Sequence, residues 1–277
     1  MAEQVHRVGF QGERGAYSEE AAVVFFKDVH IEPVPHASFD DVFAEVESGK
    51  AAYGIVPIEN SLGGSIHRNY DLLLRHNLYV IGEVAIRIAH CLIAHRGVTA
   101  DALRKVYSHP QALAQCERSL GRWPHIERVS AYDTAGSVKL IKEKGEMDAA
   151  AIASRRAAEI YDMDILAENI EDDPENYTRF LVLNREPVTT EGSSKTSIVF
   201  SMRNLPGALF RTLAVFSLRD IDLCKIESRP LQGKAWDYFF YVDFAGGLHE
   251  QHCRNALDNL KEFTEFLRVL GSYPRSV

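Results

Sequence analysis

The chain has few of the features that mark secreted scaffolds, metal knuckles or membrane proteins. Its 277 residues hold four cysteines, Cys91, Cys116, Cys224 and Cys253. No two are close enough in sequence for a metal knuckle or a redox pair. Cys91 and Cys224 sit in apolar runs, where a small buried thiol is the ordinary occupant. The eleven histidines offer no pair spaced for zinc on one helix face, so no metal is expected. Charges interrupt every apolar stretch well before the roughly 18 residues a spanning helix needs, so no membrane partner is expected. The opening MAEQVHRVGF lacks a basic region followed by an apolar one and does not read as a secretory signal. Basic residues are not in excess either: with Lys+Arg at 31 and Asp+Glu at 39, the net charge is −8, unsuited to gripping nucleic acid. These absences leave a cytoplasmic protein as the expectation.

What is present is an ordinary globular balance, 46% hydrophobic and 25% charged, at a length that suggests two domains. The first two-thirds alternates short apolar strands with helical stretches, predicting α/β architecture with largely parallel sheets. Strands are expected at Val8–Gly12, Ala51–Ile58, Lys105–Tyr107, Asp148–Ile152 and Asp164–Ala167, with helices at Ala16–Lys27 and His67–His76. Leu78–Ala94 is one long apolar stretch. Strand–helix sets before and after about residue 80 predict two lobes with a cleft between them. Glu186–Ser194 has Pro, Gly, Ser and Thr without apolar periodicity and reads as a linker. After it, strands at Thr196–Met202, Asp222–Ser228, Ala235–Phe244 and Glu265–Leu270 interleave with helices at Gly207–Leu218 and Glu250–Phe263. That order, βαββαβ, is ferredoxin-like.

Four segments carry candidate chemistry. GFQGERGAYS at 9–18 places glycines between a strand and a helix, so backbone N–H groups can face an anion. It lacks the dinucleotide spacing and the P-loop lysine, and an ordinary tight turn explains it equally well. PIENSLGGSIHRNY at 57–70 ends a strand at Glu59 and opens a helix through Asn60, Ser61, Gly63, Gly64 and Ser65. Amides, hydroxyls and a helix N-terminus converge there on a carboxylate-sized site, although plain capping remains an alternative. In YSHPQALAQC at 107–116, Ser108 stands at a helix start, and Gln111 and Gln115 share a face one turn apart. In NYTRF at 176–180, Thr178 and Arg179 open an apolar run after the acidic EDDPE loop. A strand start with a salt-bridging arginine is the plain reading of that segment. Alone, the four suggest a small anion in a cleft and name no reaction.

Together, in this order, the four segments resemble prephenate dehydratases. NLPGALF at 204–210 and KIESRP at 225–230 resemble the phenylalanine-binding motifs of an ACT domain, a small-molecule sensor. The resemblance implies a two-lobed, periplasmic-binding-protein-like catalytic domain over 6–185 and an ACT regulatory domain over 195–272. It implies loss of CO2 and of the ring hydroxyl from prephenate, giving phenylpyruvate, with no cofactor. Thr178 matches the family's catalytic threonine, and Asn60, Ser108 and Gln115 match polar active-site positions. A threonine hydroxyl is a feeble acid, so Glu59 stays a rival proton donor, and His109 is another by pKa. Arg179 is a candidate counter-charge for the retained carboxylate, with Arg14 and Arg68 as weaker candidates. Ser61, Gly63, Gly64, Thr134 and Ser137 would supply donors. In the sensor, Asn204, Leu205, Pro206, Gly207, Ala208 and Leu209 would cradle the carboxylate of L-phenylalanine. Glu227 would pair with its amino group, and Ser228 and Arg229 would shape the loop. A site shared by paired sensors implies a homo-oligomer, a dimer or tetramer. HRNYDLL, ILAE and TSIVFS also resemble plant arogenate dehydratases, which act on the transaminated substrate. A non-catalytic amino-acid sensor is the third reading.

Overall fold

The computed structural model describes residues 5–190, 192, 194–231 and 236–275. Residues 1–4, part of the N-terminal segment read above, lie outside them. In the first lobe, β1 (His6–Gln11) is followed by α1 (Tyr17–Phe25), β2 (Ile31–His36), α2 (Phe39–Glu47) and β3 (Tyr53–Asn60). The short β4 (Gly64–Ser65), α3 (His67–Arg75) and β5 (Tyr79–Arg87) complete the outgoing chain. A second lobe holds β6 (Cys91–Ala94), β7 (Lys105–Ser108), α4 (Pro110–Gln115), α5 (Glu117–Leu120) and β8 (Glu127–Ser130). It continues through α6 (Thr134–Lys144), β9 (Ala149–Ala153), α7 (Arg155–Tyr161) and β10 (Asp164–Ala167). The chain then returns to the first lobe as β11 (Tyr177–Asn184).

The return strand corrects two sequence expectations. The first sheet runs β2-β1-β3-β11-β5, with β4 on β3, and the second runs β10-β6-β9-β7-β8. β1 is parallel to β2 and β3, but β11 is antiparallel to both β3 and β5. The sheets are mixed rather than largely parallel, because a chain that crosses the cleft twice re-enters the first sheet in the opposite sense. The apolar stretch 78–94 is likewise two strands in two lobes, so the lobe boundary falls at residues 88–90 and not near 80. Local chemistry sets several edges: Ser38 and Asp41 form a reciprocal capping box at α2, and Gly145 ends α6 in the left-handed region.

The third unit comprises β12 (Ser194–Ser201), α8 (Ala208–Ser217), β13 (Leu223–Pro230), β14 (Tyr238–Ala245), α9 (Gln251–Phe263) and β15 (Phe266–Pro274). Its sheet order, β13-β14-β12-β15, with every neighbouring pair antiparallel, is the ferredoxin-like arrangement. Ala235, expected to begin the fourth of these six elements, lies outside the described residues. So do residues 191 and 193 of the linker.

The two faces of this sheet have different partners, as strand alternation requires. Ile198, Phe200, Val242 and Phe244 pack beneath α8 and α9. Val199, Tyr241, Leu270 and Tyr273 join the core of the first lobe, against Leu72, Leu78 and Val80. Tyr241 donates its hydroxyl to the Tyr70 carbonyl at 2.8 Å. Arg268 closes the turn after α3 by donating to the carbonyls of His76 (2.9 Å) and Leu78 (2.8 Å). The contact is close enough that a Cβ on Gly271 would collide with the Val80 carbonyl. Gly271→Ala is therefore expected to destabilise the chain by about 1–3 kcal/mol, the usual cost of overpacking. Urea unfolding measures this, and an unchanged midpoint would show that the third unit docks less tightly.

Candidate active site

A cavity of about 350 Å³ lies in the cleft between the two lobes. Helices begin around it: Ala16, Ile66, His109 and Asp133, the residues preceding α1, α3, α4 and α6, all line the wall. The first turn of a helix has unpaired N–H groups and the positive end of the helix dipole. Positive ends of helix dipoles thus converge on the wall; among the described residues no lysine or arginine lines it, and Asp133 is its one carboxylate.

Asn60, at the end of β3, organises one side. It pairs in register with Thr178 on β11. Its amide nitrogen donates to Asn176 Oδ1 (2.7 Å), the Tyr177 carbonyl (3.1 Å) and Thr178 Oγ1 (3.0 Å). Its carbonyl oxygen accepts from the N–H groups of Leu62 (3.1 Å) and Gly63 (2.7 Å). One side chain therefore folds the glycine turn and positions the threonine. Gln111 packs against Gly63 so closely that a Cβ there would collide with its amide. Thr178 lines the cavity, is 8% exposed, and accepts from Asn60. Among the described residues its own hydroxyl proton has no acceptor in the protein.

On the facing side, His90 bridges Tyr17 (Nδ1 to the hydroxyl, 3.0 Å) and Gln115 (Nε2 to Oε1, 3.2 Å). Tyr17 donates to the Ala89 carbonyl at 2.8 Å. Burial holds His90 below its ordinary pKa, outweighing the Gln115 contact and the nearby Glu171, so the ring is neutral near pH 7. Asp133 caps α6, its Oδ2 accepting from Glu13 N (3.0 Å) and Gly136 N (3.2 Å). Burial raises its pKa, opposed by these backbone contacts. Tyr17, His90 and Asp133 were not singled out in the sequence. The signals were available: a histidine interrupting an apolar run, and an Asp at an N-cap position.

The structure brings Asn60, Gly63, Gly64, His109, Gln115, Thr134 and Thr178 to one cavity. It places the other candidates elsewhere. Glu59 and Arg179 neighbour Asn60 and Thr178 in sequence but point from the opposite sheet face toward the third unit. Arg179 Nη1 bonds Glu83 (3.0 Å) and Asp243 (2.8 Å), and its Nε lies 2.7 Å from Glu59, out of line for a hydrogen bond. Burial works against its charge, but Asp243 and Glu59 prevail and raise its pKa. Glu59 also pairs with Lys225. Neither residue is free to serve as substrate counter-charge or proton donor. Ser108 is fully buried and donates to the Ile152 carbonyl (2.7 Å), tying β7 to β9. Ser137 donates to the Asp133 carbonyl (2.7 Å) within α6. Ser61 clips its loop to the Glu175 carbonyl (2.7 Å) and the Tyr177 N–H (2.9 Å). Arg14 pairs with Glu19 (2.9 Å) and Arg68 with Asp40 (2.5 Å), both outside the cavity.

In the third unit, Asn204, Leu205, Gly207, Ala208 and Leu209 line a separate depression of about 270 Å³ beneath Trp236 and Tyr238. Pro206 is exposed and sits in the same turn. Glu227 is not there. It accepts from Ser65 (2.5 Å) and lies 3.2 Å from His67 Nε2 in the first lobe. Arg229 donates to both oxygens of Asp71 (3.2 and 2.8 Å), and Ser228 points from the other strand face. The assignment of Glu227 to a ligand amino group is therefore corrected: strand alternation turns Lys225, Glu227 and Arg229 together onto the first lobe. Glu250, His252 and Cys253, at the start of α9, offer ligand atoms within 4.8 Å of one another. The trio mixes three residue types, so histidine spacing in the sequence does not reveal it.

The sequence profile of prephenate dehydratases matches residues 8–188. The chain belongs to the prephenate dehydratase family. Its members are decarboxylating hydro-lyases. The arogenate dehydratase/prephenate dehydratase 2, chloroplastic, of Arabidopsis thaliana is 52% identical, over 97% of this chain and 72% of that protein. The prephenate dehydratase of Arthrobacter aurescens in complex with L-Phe has a TM-score of 0.88 at 30% identity, covering 97% and 90% of the two chains. GqqA, described as a novel type of quorum-quenching acylase, has a TM-score of 0.89 at 32% identity, covering 98% of each. The cytoplasmic expectation is overturned: the plant relative is a chloroplast protein, and the lack of a signal pattern was a poor guide to location.

The buried charges give a direct test of the Arg179 assignment. Arg179→Met leaves Glu59, Glu83 and Asp243 short of a cation, and removing one partner from a buried network costs about 3–5 kcal/mol. Denaturant melts should show a loss of that size. A loss below about 1 kcal/mol would mean that the guanidinium is not committed to this network.

Proposed function

We propose that the cavity carries out decarboxylating dehydration of prephenate or of its amino counterpart arogenate, yielding phenylpyruvate or phenylalanine with CO2 and water. The observation that carries the reading is the Thr178 hydroxyl, fixed by Asn60 with its proton free, in a cavity ringed by helix N-termini. In this reaction the C1–carboxylate bond breaks and its electron pair moves through the ring. The C4–oxygen bond breaks in turn, and the departing hydroxide takes up a proton to leave as water. Thr178 donates a hydrogen bond to that oxygen as its charge grows. The Asn60 amide donating to Thr178 Oγ1 fixes the direction of that bond. Absence of lysine and arginine from the wall suits the step, because a strong cation would stabilise the departing carboxylate and oppose its loss. The positive ends of the helices around the wall, with the Thr134 side chain among its lining, face the carboxylate that stays. The name of the plant relative carries both substrates.

The same reading includes feedback by L-phenylalanine at an ACT domain. The depression at Asn204–Leu209 is aromatic on one wall and opens onto backbone at Gly207, whose φ is +76°. The Arthrobacter relative was solved with L-Phe. The charged face of β13 supplies a mechanical route from that unit to the cavity. Glu227 holds Ser65, which lines the cavity, and Lys225 holds Glu59, next to Asn60. An effector that shifts β13 therefore moves the glycine turn. The other face of this edge strand exposes Ile226, 45% accessible, where a second copy would pair to give the homo-oligomer.

Thr178→Ala is expected to lower kcat by about 10²–10³-fold, the usual loss for one preorganised donor, while leaving thermal stability near normal. Thr178→Ser should keep most of the activity. Near-normal turnover by a folded Thr178→Ala protein would remove the assignment. Gly207→Asn, tolerable at positive φ, adds a side chain facing open space at the depression. The phenylalanine concentration for half-inhibition should rise at least tenfold. An unchanged value would place the effector elsewhere.

A further inference from the structure

Asp133 is the one carboxylate lining a cavity built for anions, and no lysine or arginine shares the wall with it. Lys139, farther along α6, pairs with Glu13 instead (3.1 Å). The Asp133 carboxylate is anchored by the Glu13 and Gly136 N–H groups, which fix its position without neutralising it. Burial makes its charge unfavourable, as its raised pKa shows. Helix capping alone explains an Asp, Asn or Ser at this position. It does not explain a carboxylate set into an anion site with no cationic side chain among the lining residues.

The two substrates of the proposed reaction differ at one atom group. Both carry a ring carboxylate and side chain on C1 and a hydroxyl on C4. Prephenate has an oxo group beside its side-chain carboxylate, whereas arogenate has an ammonium. C1 and C4 lie at opposite ends of the ring. With the C4 hydroxyl at Thr178 in the first lobe, the side chain on C1 crosses the cleft toward the start of α6, where Thr134 and Asp133 line the wall. The side-chain carboxylate then meets the positive end of the α6 dipole beside Thr134, and the neighbouring group meets Asp133. We propose that Asp133 receives the substrate's α-ammonium and makes the site selective for arogenate over prephenate. This assignment rests on the dehydratase reading above and adds the residue that chooses between its substrates. An ammonium there supplies the missing counter-charge, while an oxo group sets its lone pairs against a carboxylate.

The test is kcat/KM on L-arogenate and on prephenate, for the wild-type chain and for Asp133→Asn. Asn caps a helix as well as Asp, so the variant removes the charge and keeps the turn. The wild-type chain should favour arogenate at least tenfold. In Asp133→Asn the arogenate-to-prephenate ratio should fall by about ten- to a hundredfold, the worth of one charged hydrogen bond. Equal losses on both substrates would overturn the proposal and leave Asp133 a helix cap. Preference of the wild-type chain for prephenate would overturn it even if the variant failed to fold. Turnover of neither substrate by the wild-type chain would instead remove the dehydratase reading itself.

Discussion

Asn60 is the residue on which the candidate site turns. It ends β3, where the strand meets the glycine turn, and its amide is used on both sides. The nitrogen reaches across to β11 and holds Thr178, and the oxygen folds Leu62 and Gly63 into the cavity wall. A buried amide with every atom committed has little freedom to relax, so it fixes a unique geometry. That geometry exists because β11 returns antiparallel beside β3 after the chain has built the second lobe. The topology and the site are therefore one constraint. Without the return strand, the threonine and the turn would belong to different parts of the chain.

Strand pleating extends this constraint to the third unit. Asn60 and Thr178 face the cleft, so Glu59 and Arg179, their neighbours, must face away. There they meet Glu83, Lys195, Lys225 and Asp243 in a largely buried charge network. Such networks add little net stability but strongly penalise any loss of a partner. In the proposed feedback, a ligand that moves β13 would strain this network and, through it, the two residues that set the cavity.

Much of this was legible in the sequence. The βαββαβ order could be read from pattern, and the segments around Asn60, Gln115 and Thr178 stood out by spacing, while the roles of those residues came only from the family resemblance. Side-chain direction could not. Arg179 and Glu59 stand beside cavity residues in sequence, and only the strand pairing shows that they point away. Ser108 reads equally well as a cap or a catalytic hydroxyl until its burial against Ile152 is seen. Glu227 looks like a ligand group until β13 is laid against the first lobe. Asp133 was overlooked because a capping aspartate looks ordinary in any sequence. Its interest comes from being alone among helix N-termini drawn from distant parts of the chain.

A crystal structure of Thr178→Ala with L-arogenate bound would test the account most directly. The C4 hydroxyl is expected within hydrogen-bond reach of the Asn60 amide, the ring across the cleft, and the ammonium against Asp133. A ring bound in the opposite sense, with its side chain at Asn60 and its hydroxyl at α6, would contradict both the catalytic and the selective roles assigned here.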